Sequence, residues 1–146
     1  MSELRLQKCT TPMQKLYYYE NEFCEYWVDE FGIVHEIFKD SFRILDLEVA
    51  KIITDDRLKV SNGIARPLYV ELGKATKMDR AANRYLSTGP AMDCLTATGI
   101  LVRDQIEKFG ANLYTGFFKP SVPTKFFTDK EKAILWLRNY TQDVLN

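Results

Sequence analysis

The sequence predicts one soluble α/β domain, with a mixed, mostly parallel five-stranded sheet and four helices in the order β-β-α-β-α-β-α-β-α. Three observations lead there. Two β-branched and aromatic runs flank the tight turn Glu30-Phe31-Gly32, as in an antiparallel hairpin. The runs Pro67–Leu72 and Leu95–Val102 are mostly apolar on both faces, as strands buried between helices are. Between and after them come stretches with apolar residues at helical spacing, introduced by Asp46, Asp79, Asp104 and the Thr128 capping box.

Taken in order, residues 1–21 carry Pro12 and the run Tyr17-Tyr18-Tyr19 without a sustained period, and are expected to be an extension lying against a domain of residues 22–146. Cys24–Asp29 and Ile33–Phe38 are the hairpin strands. His35 shares a face with Ile33 and Ile37, so a half-buried strand histidine with one hydrogen bond is expected rather than a catalytic one. Asp46 caps a helix running to about Ser61, because its short carboxylate accepts from the free N–H groups of the first turn. Glu48, Lys51, Asp55 and Lys59 make a polar stripe along it, whereas Asp56 and Arg57 fall inside the apolar arc. That pair is expected to snorkel or to pair near the helix end.

Asn62-Gly63 stops the helix and Pro67–Leu72 follows as a strand. A second helix starts near Asp79, with Met78, Ala82, Tyr85 and Leu86 on one side and Arg80, Asn83 and Arg84 on the other; Ser87-Thr88-Gly89-Pro90 ends it. Gly99, inside the next strand, marks a weak point or a close backbone approach. A third helix from Asp104 carries Ile106, Phe109, Gly110, Leu113 and Phe117. Lys119–Pro123 is an extended link, Thr124–Phe127 a short strand, and Thr128-Asp129-Lys130-Glu131 a capping box for the last helix, whose Ala133, Trp136, Leu137 and Tyr140 face inward. Right-handed crossovers would make four of the five strands parallel, with the first hairpin strand antiparallel at one side.

Twenty basic residues balance twenty acidic ones, so no global field favours nucleic acid, and none is expected as a partner. The N-terminal residues lack the apolar core of a signal peptide and no stretch approaches a membrane span, so a cytoplasmic protein without stable membrane insertion is expected. Cys9, Cys24 and Cys94 are odd in number, lack a C-x-x-C pair and have one histidine for company, which argues against a disulfide framework and a thiolate zinc site. Neither G-x-G-x-x-G nor G-x-x-x-x-G-K-[ST] follows a strand, and Asp55 and Asp56 project about 100° apart on their helix, too divergent to flank one bond. No cofactor, no metal and no enzymatic activity are expected.

Asp46-Leu47-Glu48-Val49-Ala50-Lys51, Pro67–Leu72 and the close Phe126–Leu137, set in this order of elements, resemble the STAS fold of bacterial anti-sigma-factor antagonists, and more closely the SpoIIAA-like proteins of uncharacterised function. The resemblance covers roughly residues 23–141. In the phosphorylated antagonists an Asp-Ser pair opens the second helix and the serine is the kinase target. The matching positions here are Asp79 and Arg80, followed by Ala81, so the acid is kept and the hydroxyl is absent. An arginine accepts no phosphoryl group, and the phospho-switch does not carry over.

Parallel α/β sheets bind ligands at the carboxyl ends of strands and the helix starts that follow. Those loops offer Arg43, Lys74, Lys77, Asp79, Arg80, Arg103 and Asp104. Two functions are therefore expected as alternatives. One is a non-enzymatic regulatory or protein-interaction domain using the surface of Asp79, Arg80 and Asn83, where the resemblance implies partner binding. The other is a domain that binds a small anionic or lipid-like molecule, which a contiguous internal apolar pocket would favour. A homodimer formed through the aromatic extension or a sheet edge is compatible with either.

Overall fold

The computed structural model describes residues 15–41, 44–73, 77–102 and 121–141. Strands β1 (Leu16–Glu20), β2 (Cys24–Val28), β3 (Val34–Phe38) and the two-residue β4 (Ile44–Leu45) precede helix α1 (Leu47–Ser61). Strand β5 (Arg66–Glu71), the short β6 (Lys77–Met78), helix α2 (Arg80–Ser87) and a 3-10 turn (Gly89–Met92) follow. The chain then forms β7 (Leu95–Leu101), β8 (Thr124–Phe127) and α3 (Lys130–Leu137), which runs into a 3-10 turn at Arg138–Tyr140. The helix expected from Asp104 lies outside the described residues.

The main sheet has the order β1-β2-β3-β5-β7-β8, and β4 and β6 form a separate parallel pair. β2 is antiparallel to both its neighbours, while β3, β5, β7 and β8 are parallel. This is the expected mixed, mostly parallel arrangement with one strand more. Leu16–Glu20, read as part of an extension, is a sixth strand at the edge. Its five residues are all exposed, so burial leaves no alternation in their sequence. A shift of register between Leu16 and Tyr19, with Tyr17 at φ 52, breaks the period further.

Local chemistry sets the helix limits. Asp46 Oδ1 accepts from the Val49 N–H at 3.0 Å, and Asn62, in the left-handed region at φ 54, ends α1 by donating its N–H to Leu58 and Lys59. Asp79 caps α2 through the Ala82 N–H at 2.8 Å. For α3 the cap is Asp129, accepting from Glu131 and Lys132, one residue later than the expected Thr128. Aspartate and threonine stand side by side there, and the aspartate's charge adds a favourable interaction with the helix start.

From β3 onward the strands stand in chain order, so right-handed crossovers put α1 and α2 on one face, where they pack together. α3 covers the opposite face, against β5, β7 and β8. Strand alternation feeds two cores. Leu68 and Val70 point with Tyr26, Phe38, Ile53 and Ile100 into the α1–α2 side, while Tyr69 joins Ile33, Ala97, Ala133, Ile134 and Leu137 under α3. Gly99 proves to be a close approach: a Cβ there would lie 3.1 Å from Leu137 Cδ1, so its missing side chain lets α3 settle on the sheet.

Candidate functional site

On β3, Val34, Glu36 and Phe38 share the face that α1 covers, so the alternation that buries the two apolar residues buries a carboxyl between them. Glu36 is 5% exposed. Above it, on α1, Arg57 is 3% exposed, its Nη2 donating to the Ala91 carbonyl at 2.7 Å and its Nη1 to the Asp93 carbonyl at 3.2 Å. Between sheet and helices lies a cavity of about 100 Å³. Leu68, Val70 and Ile100 form its sheet wall, Ile53, Thr54 and Arg57 its α1 wall, and Asn83, Leu86 and Ser87 its α2 wall. The lining is chiefly apolar, and Glu36, Arg57, Thr54, Ser87 and Thr98 are buried polar groups within it.

Burial decides the electrostatics of this chamber. Desolvation pushes the Glu36 carboxyl up to about 7, against the pull of Arg57 and the Tyr26 hydroxyl. Burial also lowers Arg57 from its ordinary value, and Glu36 opposes that shift. A guanidinium keeps its proton under such a shift, so Arg57 remains a cation. Thr54 Oγ1 is buried and has no hydrogen-bond partner among the described residues. An unsatisfied hydroxyl costs about 1–3 kcal/mol, which makes it a ready partner for anything polar that enters. Tyr26, whose own hydroxyl is raised chiefly by burial, donates to the Ile53 carbonyl at 3.2 Å.

Of Arg57 and Asp56, expected to snorkel or to pair near the helix end, Asp56 pairs there with Lys59 of the last turn and Arg57 does not. Asp56 turns outward, to Lys59 at 3.1 Å and to the Asn21 amide at 2.7 Å, while Arg57 turns inward. The 100° step between consecutive helical residues separates them. Glu36 was not singled out by the sequence reading, although the face shared by His35, Ile33 and Ile37 implies that Glu36 lies with Val34 and Phe38.

Of the loop residues expected to bind a partner or an anion, Arg43, Lys74 and Arg103 lie outside the described residues, as does Asp104. Lys77 is in β6, paired with Ile44 of β4. Asp79 is the α2 cap and Arg80 the first residue of that helix, both exposed. Asn83 lies on the inner side of α2, lines the cavity and accepts from the Ser87 hydroxyl at 3.2 Å. The structure thus brings Asn83 to the cavity and leaves Asp79 and Arg80 on the rim.

Across the sheet, His35 is fully buried rather than half-buried. It stacks on Trp27 at 5.0 Å and meets Tyr69 edge-on at 5.2 Å, with Nε2 2.8 Å from Asp29 Oδ2. Cys94 lies near Arg57, on the α1 side of the sheet, and His35 on the α3 side. No group of three His, Cys, Asp or Glu among the described residues could hold a metal ion, and no helix among them is long and apolar enough to cross a membrane.

Among curated proteins none matches the sequence. The structure is similar to that of an uncharacterised Shewanella loihica PV-4 protein of the DUF3478 family with a SpoIIAA-like fold, at 16% identity and a TM-score of 0.49, over 82% of this chain and 89% of that one. The model of a domain of unknown function, DUF7793, matches residues 26–141, and the chain belongs to that family.

Proposed function

We propose that the domain is a non-enzymatic binding module that takes a small amphipathic molecule into the cavity under α1 and α2 and signals its presence to a protein partner. The observation that carries this is a chiefly apolar cavity of about 100 Å³ with a buried cation and a buried carboxyl in its wall. Leaving such a space empty costs about 2 kcal/mol, at roughly 24 cal/mol per Å³. A ligand removes that cost, and the wall's polar groups orient it. Helix α2 faces both ways: Asn83, Leu86 and Ser87 line the cavity, while Arg80 and Arg84 stand outside. An occupant pressing on the inner side shifts the surface that a partner reads.

The test is thermal denaturation of the full chain with a panel of small amphiphiles, beside native mass spectrometry of gently purified protein. Occupancy raises the melting temperature of the wild type and leaves a cavity-filling Val70→Phe variant unmoved. A panel in which nothing stabilises the wild type, together with no retained ligand mass, removes this reading.

A further inference from the structure

Resting on that reading, we propose that the occupant is a short-chain carboxylate whose acid group is received between Arg57 and Glu36 and whose tail lies against Leu68, Val70 and Ile100. Arg57 is buried, and the two groups that hold its Nη atoms are neutral backbone carbonyls. None of the ion pairs among the described residues includes it. A buried cation without a full counter-charge is costly, and an entering anion supplies one.

The groups facing this point come from every element around it. Strand β2 contributes Tyr26 and Cys24, and β3 contributes Glu36. At the end of the 3-10 turn, Cys94 and the exposed Asp93 lie near Arg57. On α1, Asp56 is turned away to Lys59 and Asn21. Helix α2 brings Asn83 and Ser87, neither of which titrates. Burial raises the Tyr26 hydroxyl and the Cys24 thiol, so both stay neutral. Glu36, raised to about 7, changes charge near neutrality, and its neutral form is the one that suits an anionic guest. Protonated, it donates an O–H to the ligand carboxylate while Arg57 supplies the opposite charge, a charge-assisted arrangement on both sides. The proton comes from solvent, so binding of the ionised acid takes up a proton wherever Glu36 is not already protonated, an uptake that grows as the pH rises through about 7. A guest cation would meet Arg57 as a like charge, and an uncharged guest would leave its charge uncompensated.

Volume sets the size of the tail. A 150 Å³ apolar cavity is known to hold benzene, so about 100 Å³ suits a tail of roughly four carbon atoms.

Isothermal titration calorimetry on the full chain, with 3-methylbutanoate and its uncharged counterpart 3-methylbutan-1-ol, tests the proposal. At about pH 6.5 the acid should bind at least tenfold more tightly than the alcohol. Its affinity should fall toward about pH 8.5, where the probe remains ionised and Glu36 does not stay protonated. Titrations in buffers of different ionisation enthalpy should show proton uptake. Glu36→Gln should retain acid binding without proton uptake, since the amide still donates. Arg57→Met should bind the alcohol and lose the preference for the acid, and should that variant not fold, Glu36→Gln still decides. Equal or tighter binding of the alcohol overturns the carboxylate assignment and leaves the cavity reading standing. Acid binding that ignores both pH and Glu36→Gln places the ligand elsewhere and also overturns it. Failure of both probes to bind, or to be competed by any ligand that the amphiphile panel yields, overturns it as well, and the cavity reading falls only if that panel is silent too.

Discussion

One carboxylate oxygen of Asp29 lies 2.8 Å from Nε2 of His35, and neither side chain reaches solvent. The other oxygen accepts from the N–H groups of Phe31 at 2.8 Å and Ile33 at 3.0 Å, so a single side chain ties the hairpin turn to the buried imidazole. Asp29→Ala leaves His35 Nε2 and the Ile33 N–H without their partner and should destabilise the domain by about 3 kcal/mol. Urea denaturation reads this as a lower midpoint at unchanged slope. A loss below about 1 kcal/mol would show that the turn does not depend on this carboxylate.

Gly99 and Leu137 define how closely α3 lies on the sheet. A Cβ at Gly99 would stand 3.1 Å from Leu137 Cδ1 and 3.3 Å from its Cγ, and Leu137 is fully buried. Gly99→Ala should therefore cost about 1–3 kcal/mol through overpacking. Combined with Leu137→Ala, the total loss should be smaller than the sum of the two single losses, because the shortened side chain removes the clash. Simple additivity in a double-mutant cycle would place the strain elsewhere.

Glu36 makes stability depend on pH in a definite direction. Its carboxyl is raised from 4.5 to about 7 in the folded chain, so the folded state holds a proton that the unfolded state releases. The resulting stabilisation is fully present below pH 4.5 and is lost as the pH rises through about 7. The change reaches about 3 kcal/mol for a shift of this size. Glu36→Gln removes the titrating group. Relative to the wild type, the variant should gain stability between about pH 5 and pH 8, measured by denaturant unfolding at each pH, and parallel curves would contradict the raised carboxyl.

Strand β1 shields Trp27. Tyr18 stacks on the Trp27 ring at 6.5 Å and donates to Glu25, Lys15 Nζ stands 4.2 Å from the ring centroid, and Glu20 pairs with Lys39 at 2.8 Å. Deleting residues 1–20 should uncover the indole and free the edge of β2. Tryptophan emission should shift to longer wavelength, and light scattering should report self-association. An unchanged emission maximum would mean that β1 does not cover the ring in solution.

How much of this was legible in the sequence follows from how local each cause is. Asp46, Asn62 and Asp79 act within one helical turn, so their roles could be read from residue type and position. Arg57 was visible as a charge inside an apolar arc, but its partners, Ala91 and Asp93, are distant in sequence and contribute backbone carbonyls, which no side-chain pattern reveals. Glu36 was concealed by its neighbours, because Val-His-Glu-Ile-Phe places a polar residue on each face of a strand buried on both. The expected loop site rested on a general rule for open sheets, whose ligands sit at the carboxyl ends of strands and the helix starts that follow. From β3 to β8 this strand order does not reverse, and the cavity lined by described residues lies under the helices. A volume left between packed side chains has no signature in a linear pattern.

The same unreversed order bears on how the chain assembles. From β1 to β8 every strand of the main sheet is laid beside the strand made just before it, and none has to be inserted between two already in place. A polypeptide emerging from the ribosome can therefore add each strand to a growing edge as it appears, with α1 and then α2 closing over the sheet behind it. The chamber that holds Glu36 and Arg57 is completed only late in this sequence, because Thr124 and Phe126 of β8 also line it. A nascent chain would thus complete this chamber only once β8 has been laid down.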